Sequence, residues 1–174
     1  MGAVLRVFWI PALALLLAGC MTYVLPEEQL NEMPTADVIP RAERGSFGAI
    51  HTLCYRYATG TGGTARDYEQ AYLWCRRGAT MGNSTSQYML AQLYAEGLGR
   101  PRDLRQAVEW FTEAGKRDFA PAQFVLYRMY STGEGVRRNS DAALAWLREA
   151  ASRRYGPAVQ ELERLSMQRP QAAQ

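Results

Sequence analysis

Only one histidine, His51, occurs among the 174 residues, which excludes a His-rich metal site and leaves a single imidazole for any acid–base scheme. Charge of one sign is scarce as well. Twenty Lys and Arg against 17 Asp and Glu leave a formal +3 spread along the chain, whereas nucleic-acid binders gather a basic stripe, so no nucleic-acid partner is expected. A phosphate loop is missing too: the cluster Gly60 to Gly63 lacks the Lys-Ser/Thr ending and reads as a turn. Cys54 and His51 lie three apart, yet no orienting carboxylate accompanies them, so the chain is not expected to be an enzyme and no cofactor or metal is expected. Three cysteines make an odd count that needs explaining.

The N-terminus explains one of them. Arg6 precedes the apolar stretch Val7 to Leu17, which Pro11 interrupts and which falls short of the ~20 residues of a spanning helix; Ala18 and Gly19 then lead to Cys20. This is the shape of a secretory signal, and Leu17-Ala18-Gly19-Cys20 resembles the lipobox of bacterial lipoproteins. The resemblance implies that residues 1–19 are removed and that Cys20 carries acyl chains, each buried CH₂ contributing about 0.8 kcal/mol of membrane affinity. Met21, where an Asp would retain such proteins at the inner membrane, is similar to those forwarded to the outer membrane, facing the periplasm. Residues 20–45 hold Pro26, Pro34 and Pro40 without a sustained period and are expected to be a flexible tether; residues 169–174 are expected to be a disordered tail.

From Ser46 onward the dominant feature is a repeat. Trp74, Trp110 and Trp146 stand 36 apart, as do Ala71, Ala107 and Ala143. The same register holds for Asp67, Asp103 and Asn139, for the small residues Gly78, Ala114 and Ala150, for Ser86, Ala122 and Ala158, and for Leu90, Leu126 and Leu162. Each copy reads as two helices, A and B, around a glycine turn. In the second, Met89, Leu90, Leu93 and Tyr94 give helix A, near Thr85 to Glu96, one apolar face; Gly97 ends it and Asp103 caps helix B, with Gln106 reaching back. Pro121 and Pro157 suit the first turn of the next A helices. The first copy has one extra residue in its turn, ten from Tyr57 to Asp67 against nine from Tyr94 to Asp103.

This order of residue types at this period resembles the Sel-1-like repeat, a relative of the tetratricopeptide repeat, over about Gly48 to Ser166. The resemblance implies an all-α fold, an α-solenoid of three helix pairs (about 48–84, 85–120 and 121–156) closed by a C-terminal capping helix near 157–167, within a domain at 46–168. Tyr127 departs from the pattern, standing where Cys54 and Ala91 stand in the earlier copies, and must find room between helices.

Family members are as a rule interaction scaffolds, and their A-helix faces line a concave surface. Carried over, those positions are His51 and Tyr55, Tyr88 and Gln92, Phe124 and Arg128, then Gln160 and Arg164, a ring column beside a polar column suited to a protein or peptide partner. The alternative packs Tyr88 and Phe124 against the preceding helix. Cys54 and Cys75 fall on the two helices of the first pair and form either a disulfide, worth about 3 kcal/mol by chain entropy, or two buried thiols. The expected function is a lipid-anchored cell-envelope scaffold that helps an envelope complex assemble; the alternatives are a surface-exposed or regulatory binding protein and, more remotely, an envelope enzyme.

Overall fold

Residues 27–168 are described by the computed structural model, and among them every regular element is a helix. Seven helices of 13 residues follow one another: α3 (Phe47–Thr59), α4 (Tyr68–Thr80), α5 (Ser84–Glu96), α6 (Leu104–Lys116), α7 (Ala120–Thr132), α8 (Ser140–Ser152) and α9 (Gly156–Gln168). Packing runs α3 on α4, α5 on α6 and α7 on α8, with each pair stacked on the next and α9 on α8. This is the solenoid of three pairs and a terminal helix expected from the period. Among the described residues no helix is long and apolar enough to cross a membrane.

Local chemistry sets the boundaries. Asp67, Asp103 and Asn139 sit at the starts of α4, α6 and α8, each carboxylate or amide oxygen accepting from two backbone N–H groups at 3.0–3.1 Å. Gln106 does not reach back as the capping-box reading required; it donates to Glu109 at 2.7 Å instead. Gly60, Gly97 and Gly133 close α3, α5 and α7 in the left-handed conformation. Gly99 is required for a second reason: a Cβ there would stand 2.2 Å from the Tyr68 carbonyl oxygen of the preceding pair.

Small residues and tryptophans divide the packing between them. At the crossing of α4 and α5 a Cβ on Gly78 would lie 2.5 Å from Ser86 Oγ and 2.8 Å from Ser86 Cβ, so the Ser86 side chain fills the space that only a glycine leaves open. Trp74 and Trp110 each pack against two successive clusters of the core, joining one pair to the next. Two buried amides reinforce the seams: Gln87 Nε2 donates to the Ala79 carbonyl (3.2 Å) and Gln123 Nε2 to the Gly115 carbonyl (2.9 Å), carbonyls in the last turns of α4 and α6.

One expectation is overturned. The stretch read as a tether is helical over α1 (Glu27–Glu32) and α2 (Thr35–Glu43), and it buries Leu30, Val38 and Ala42 against Ala49, Ile50 and Leu53 of α3. Such short helices have little stability alone and owe their order to this packing. Pro34 stands at the N-cap of α2, and Pro40 lies inside α2 on its exposed side. The pair is fastened by Arg56, itself only 3% exposed, which donates to the carbonyls of Leu30 and Asn31 (2.9 Å each) and to Thr35 Oγ1 (2.7 Å). Residues 1–26, including Cys20 and the signal segment, and 169–174 lie outside the described residues.

Candidate functional site

Helices α3, α5, α7 and α9 place the expected partner residues in register, and the structure divides them into two groups. Tyr88 and Phe124 are half-buried. The Tyr88 ring meets Phe111 (5.5 Å between centroids) and Phe119 (5.3 Å), and Phe124 meets Tyr127 (5.8 Å) and Tyr155 (5.7 Å). The ring column is built into the packing: Tyr88 lies against the core clusters on both sides of α5, whereas Phe124 packs on Leu147, Ala150 and Ala158 and on Tyr155, not on the preceding helix that the packing alternative named. Burial, helped by nearby Tyr155 and Glu96, holds the Tyr88 phenol above its ordinary pKa. Gln92 turns toward that phenol, its Nε2 donating to Tyr88 Oη at 3.3 Å. His51 is half-buried at the first pair.

Tyr55, Arg128 and Gln160 form the exposed group, Tyr55 at 48%. Arg164 is also exposed but engaged, since its guanidinium donates twice to Glu161 at 2.7 Å. Tyr127 resolves its own misfit here: the phenol leaves the seam and donates to Glu161 on α9. The result is a small cluster, Tyr127–Glu161–Arg164, which ties the terminal helix to the third pair.

Two members of the column were missed from sequence. Phe119 and Tyr155 precede α7 and α9 and stand 36 apart, so the period itself marked them. Phe119 occupies the N-cap of α7 with no side-chain cap bond, whereas Asn83 caps α5 by accepting from the Ser86 N–H at 2.7 Å. The ring replaces a capping bond with aromatic contact, which is a signal readable at an otherwise polar position.

The carboxyl of Glu161 is lowered from 4.5 to about 2, chiefly by Arg164, then by the Tyr127 phenol. A carboxylate with a depressed folded-state pKa stabilises the fold above its unfolded pKa and loses that contribution as pH falls toward the folded value. Docking of α9 should therefore weaken as pH drops from about 4.5 to about 2. Hydrogen exchange of residues 156–168 across that range should show this, and Glu161→Gln should remove the pH dependence.

Cys54 and Cys75 are joined as a disulfide, their Cα atoms 4.6 Å apart and both side chains fully buried. A bridged Cys54 cannot serve as a thiolate, so a Cys–His nucleophile at His51 and Cys54 has no basis in this state. Among the described residues no group of three or more His, Cys, Asp or Glu side chains is arranged to hold a metal.

Comparison with known proteins agrees with this geometry. The family model "Sel1 repeat" matches residues 49–83, 84–119 and 120–155. A Sel1 repeat protein from Oxalobacter formigenes is 28% identical with a TM-score of 0.64, over 68% of this chain and 34% of that one. The antigen c5321, described as protective and present in uropathogenic Escherichia coli with an SLR fold, is 35% identical with a TM-score of 0.65, over 70% of this chain and 26% of its own. The chain thus spans about a third and a quarter of these two longer relatives. Cysteine rich protein B of Helicobacter pylori shares the fold at 17% identity and a TM-score of 0.57, over 78% of this chain and 96% of that one. No curated protein matches the chain in sequence. Sel1 repeat proteins are in general binding scaffolds for other proteins rather than enzymes. With three consecutive matches covering more than half its length, the chain belongs to the Sel1 repeat family.

Proposed function

We propose that this protein is a non-enzymatic scaffold of the bacterial cell envelope, held at the outer membrane by acyl chains on Cys20 and facing the periplasm. It recruits a protein or peptide partner to an assembling envelope complex of the secretion, polysaccharide-export, pilus or flagellar type. The observation that carries the compartment is the buried Cys54–Cys75 bridge, which suits an oxidising environment and is rare in a reducing one. The lipobox-like Leu17-Ala18-Gly19-Cys20 supports the anchor. Because α1 begins at Glu27, seven residues after Cys20, the first helix would lie at most about 25 Å of extended chain from the lipid attachment, so the partner would be met close to the membrane.

The partner face is the one carrying Tyr55, Tyr88 and Arg128, where ring edges supply contact area and the exposed guanidinium fixes register. Arg128→Glu is expected to reduce partner capture from envelope extracts at least tenfold while leaving the helical circular dichroism unchanged; full capture would refute the assignment. A second reading, display at the cell surface, is favoured by the likeness to c5321, itself a protective antigen. Protease shaving of intact cells separates the two, since only a surface-displayed chain is cleaved.

A further inference from the structure

We propose that one edge of the stack, where α2, α4, α6 and α8 end and α3, α5 and α7 begin, docks on an anionic bilayer surface, with Phe47 and Met81 entering the headgroup layer between arginines. The proposal deepens the envelope reading, on which it rests for the nearness of a membrane.

The sequence spreads its charge along the chain, but the fold does not. At this edge Lys116 pairs with Glu113 and Arg153 with Asp118. Arg41, Arg44, Arg77, Arg117 and Arg154 remain, and among the described residues no carboxylate pairs with any of them. Glu43 and Glu149 are the acidic side chains left there to offset them. At the opposite edge, where α3, α5 and α7 end, exposed acidic side chains are at least as numerous as exposed basic ones. The positive excess is therefore one-sided.

Contacts between successive pairs draw these groups into a row. Arg77, in the last turn of α4, donates to the Glu43 carbonyl at the end of α2 at 3.0 Å. Arg117, after α6, lies beside the turn after α4, where a Cβ on Gly82 would stand 3.0 Å from Arg117 Nη2. Arg153, after α8, donates to Asp118, after α6. Phe47 and Met81, each 45% exposed, stand within this row, Phe47 at the start of α3 and Met81 at the end of α4.

Bulky apolar side chains set singly among cations call for an occupant that accepts them at any spacing and is negative along the whole row. A bilayer with anionic headgroups meets both conditions: lipid phosphates accept from guanidinium groups, and a ring or thioether enters the boundary between headgroups and acyl chains. A folded protein would have to match the row point by point. The course of the chain agrees. Leu30 of α1 lies over the first turn of α3, where a Cβ on Gly48 would stand 2.9 Å from Leu30 Cδ1, so the segment that follows Cys20 joins the stack next to Phe47. Tethering makes the contact intramolecular, so weak intrinsic binding suffices, and the face carrying Tyr55 and Arg128 stays uncovered.

The test uses the full chain with Cys20→Ser and Met81→Cys, the new thiol carrying the environment-sensitive fluorophore NBD while Cys54 and Cys75 stay bridged. Phosphatidylcholine vesicles with about 30 mol% phosphatidylglycerol should shift the emission to the blue by about 10 nm at low salt, and spin-labelled lipid should quench it. Pure phosphatidylcholine vesicles should leave it unchanged, as should either vesicle with the label at Thr61→Cys, in the turn after α3 at the opposite edge. Each arginine near such a surface is worth about fivefold in affinity, so Arg44→Glu with Arg117→Glu should raise the lipid concentration needed at least tenfold with helical circular dichroism unchanged. Equal shifts at positions 61 and 81, a shift that needs no anionic lipid, or indifference to the double substitution would each overturn the proposal. So would binding of poly-glutamate without any response to the vesicles, which would assign the edge to an acidic protein. The assay omits the acyl chains, so failure of Cys20 to be lipidated in cells counts against the envelope reading alone.

Discussion

Replacing Cys54 and Cys75 together by Ala is expected to lower stability by about 3 kcal/mol, the chain-entropy contribution of a bridge between residues 21 apart. The effect should concentrate in the first pair, α3 and α4, which the bridge joins across their interface. Loss of packing can be separated from loss of the cross-link, because unfolding and refolding the unchanged protein in reductant removes the bond and keeps both sulfurs. Urea unfolding of the oxidised, reduced and doubly substituted forms should place the reduced form nearer the substituted one. Equal midpoints for oxidised and reduced protein would show that the bridge contributes nothing. Later pairs manage without it: Ala91 and Phe111, then Tyr127 and Leu147, occupy the corresponding positions. The first pair is also the one through which α1 and α2 attach to the stack, so the cross-link holds their platform in shape.

The second large effect is expected from Arg56→Met. Leu93 and Met129 stand at the equivalent positions of the later copies, so methionine fits the stripe and the loss isolates what the guanidinium does. It removes three donated hydrogen bonds and leaves the Leu30 and Asn31 carbonyls at the end of α1 without their donor. Hydrogen bonds to a charged group contribute about 1.5–3 kcal/mol each net of water, and because the three share one guanidinium whose burial itself costs free energy, we expect a loss of about 3 kcal/mol from the docking of residues 27–43. Hydrogen exchange in that segment should accelerate about 100-fold while α5 to α8 keep their protection. Unchanged protection of residues 27–43 would contradict the role assigned to Arg56.

The same arginine shows where sequence reasoning stopped. The period was legible because tryptophan and alanine recur at positions where helices either fill or approach, and the helix starts were legible because Asp67, Asp103 and Asn139 cap with their own side chains. Arg56 and its role were not. At an apolar register position a charged residue reads as a solvent exception, and the extra residue of the first turn gave no hint of its purpose. In the structure that turn passes beside the guanidinium, so closely that a Cβ on Gly62 would stand 2.6 Å from Arg56 Nε. Helices α1 and α2 were hidden for a related reason: prolines and acidic residues dominate the segment, and the few apolar contacts that order it lie across Pro34. Short elements ordered by tertiary contact leave little local pattern to read.

Repeat register places Tyr88 and Phe124 on the A helices, yet register alone does not say whether a ring at such a position faces solvent or a neighbouring seam. Phe119 and Tyr155 decide that, because they supply the second rings against which Tyr88 and Phe124 pack. Exposed contact area therefore shifts toward Tyr55 and Arg128.

Site-specific photocrosslinking in living cells decides whether the A-helix face meets a partner. A photoreactive amino acid placed at Tyr55 or Arg128, both exposed on the A-helix face, is compared with one at Leu73 or Ala145, exposed and in register on the B helices. A discrete envelope-protein adduct is expected from positions 55 and 128 and none from 73 and 145. Adducts from 73 and 145 alone, or equal labelling from all four, would contradict it.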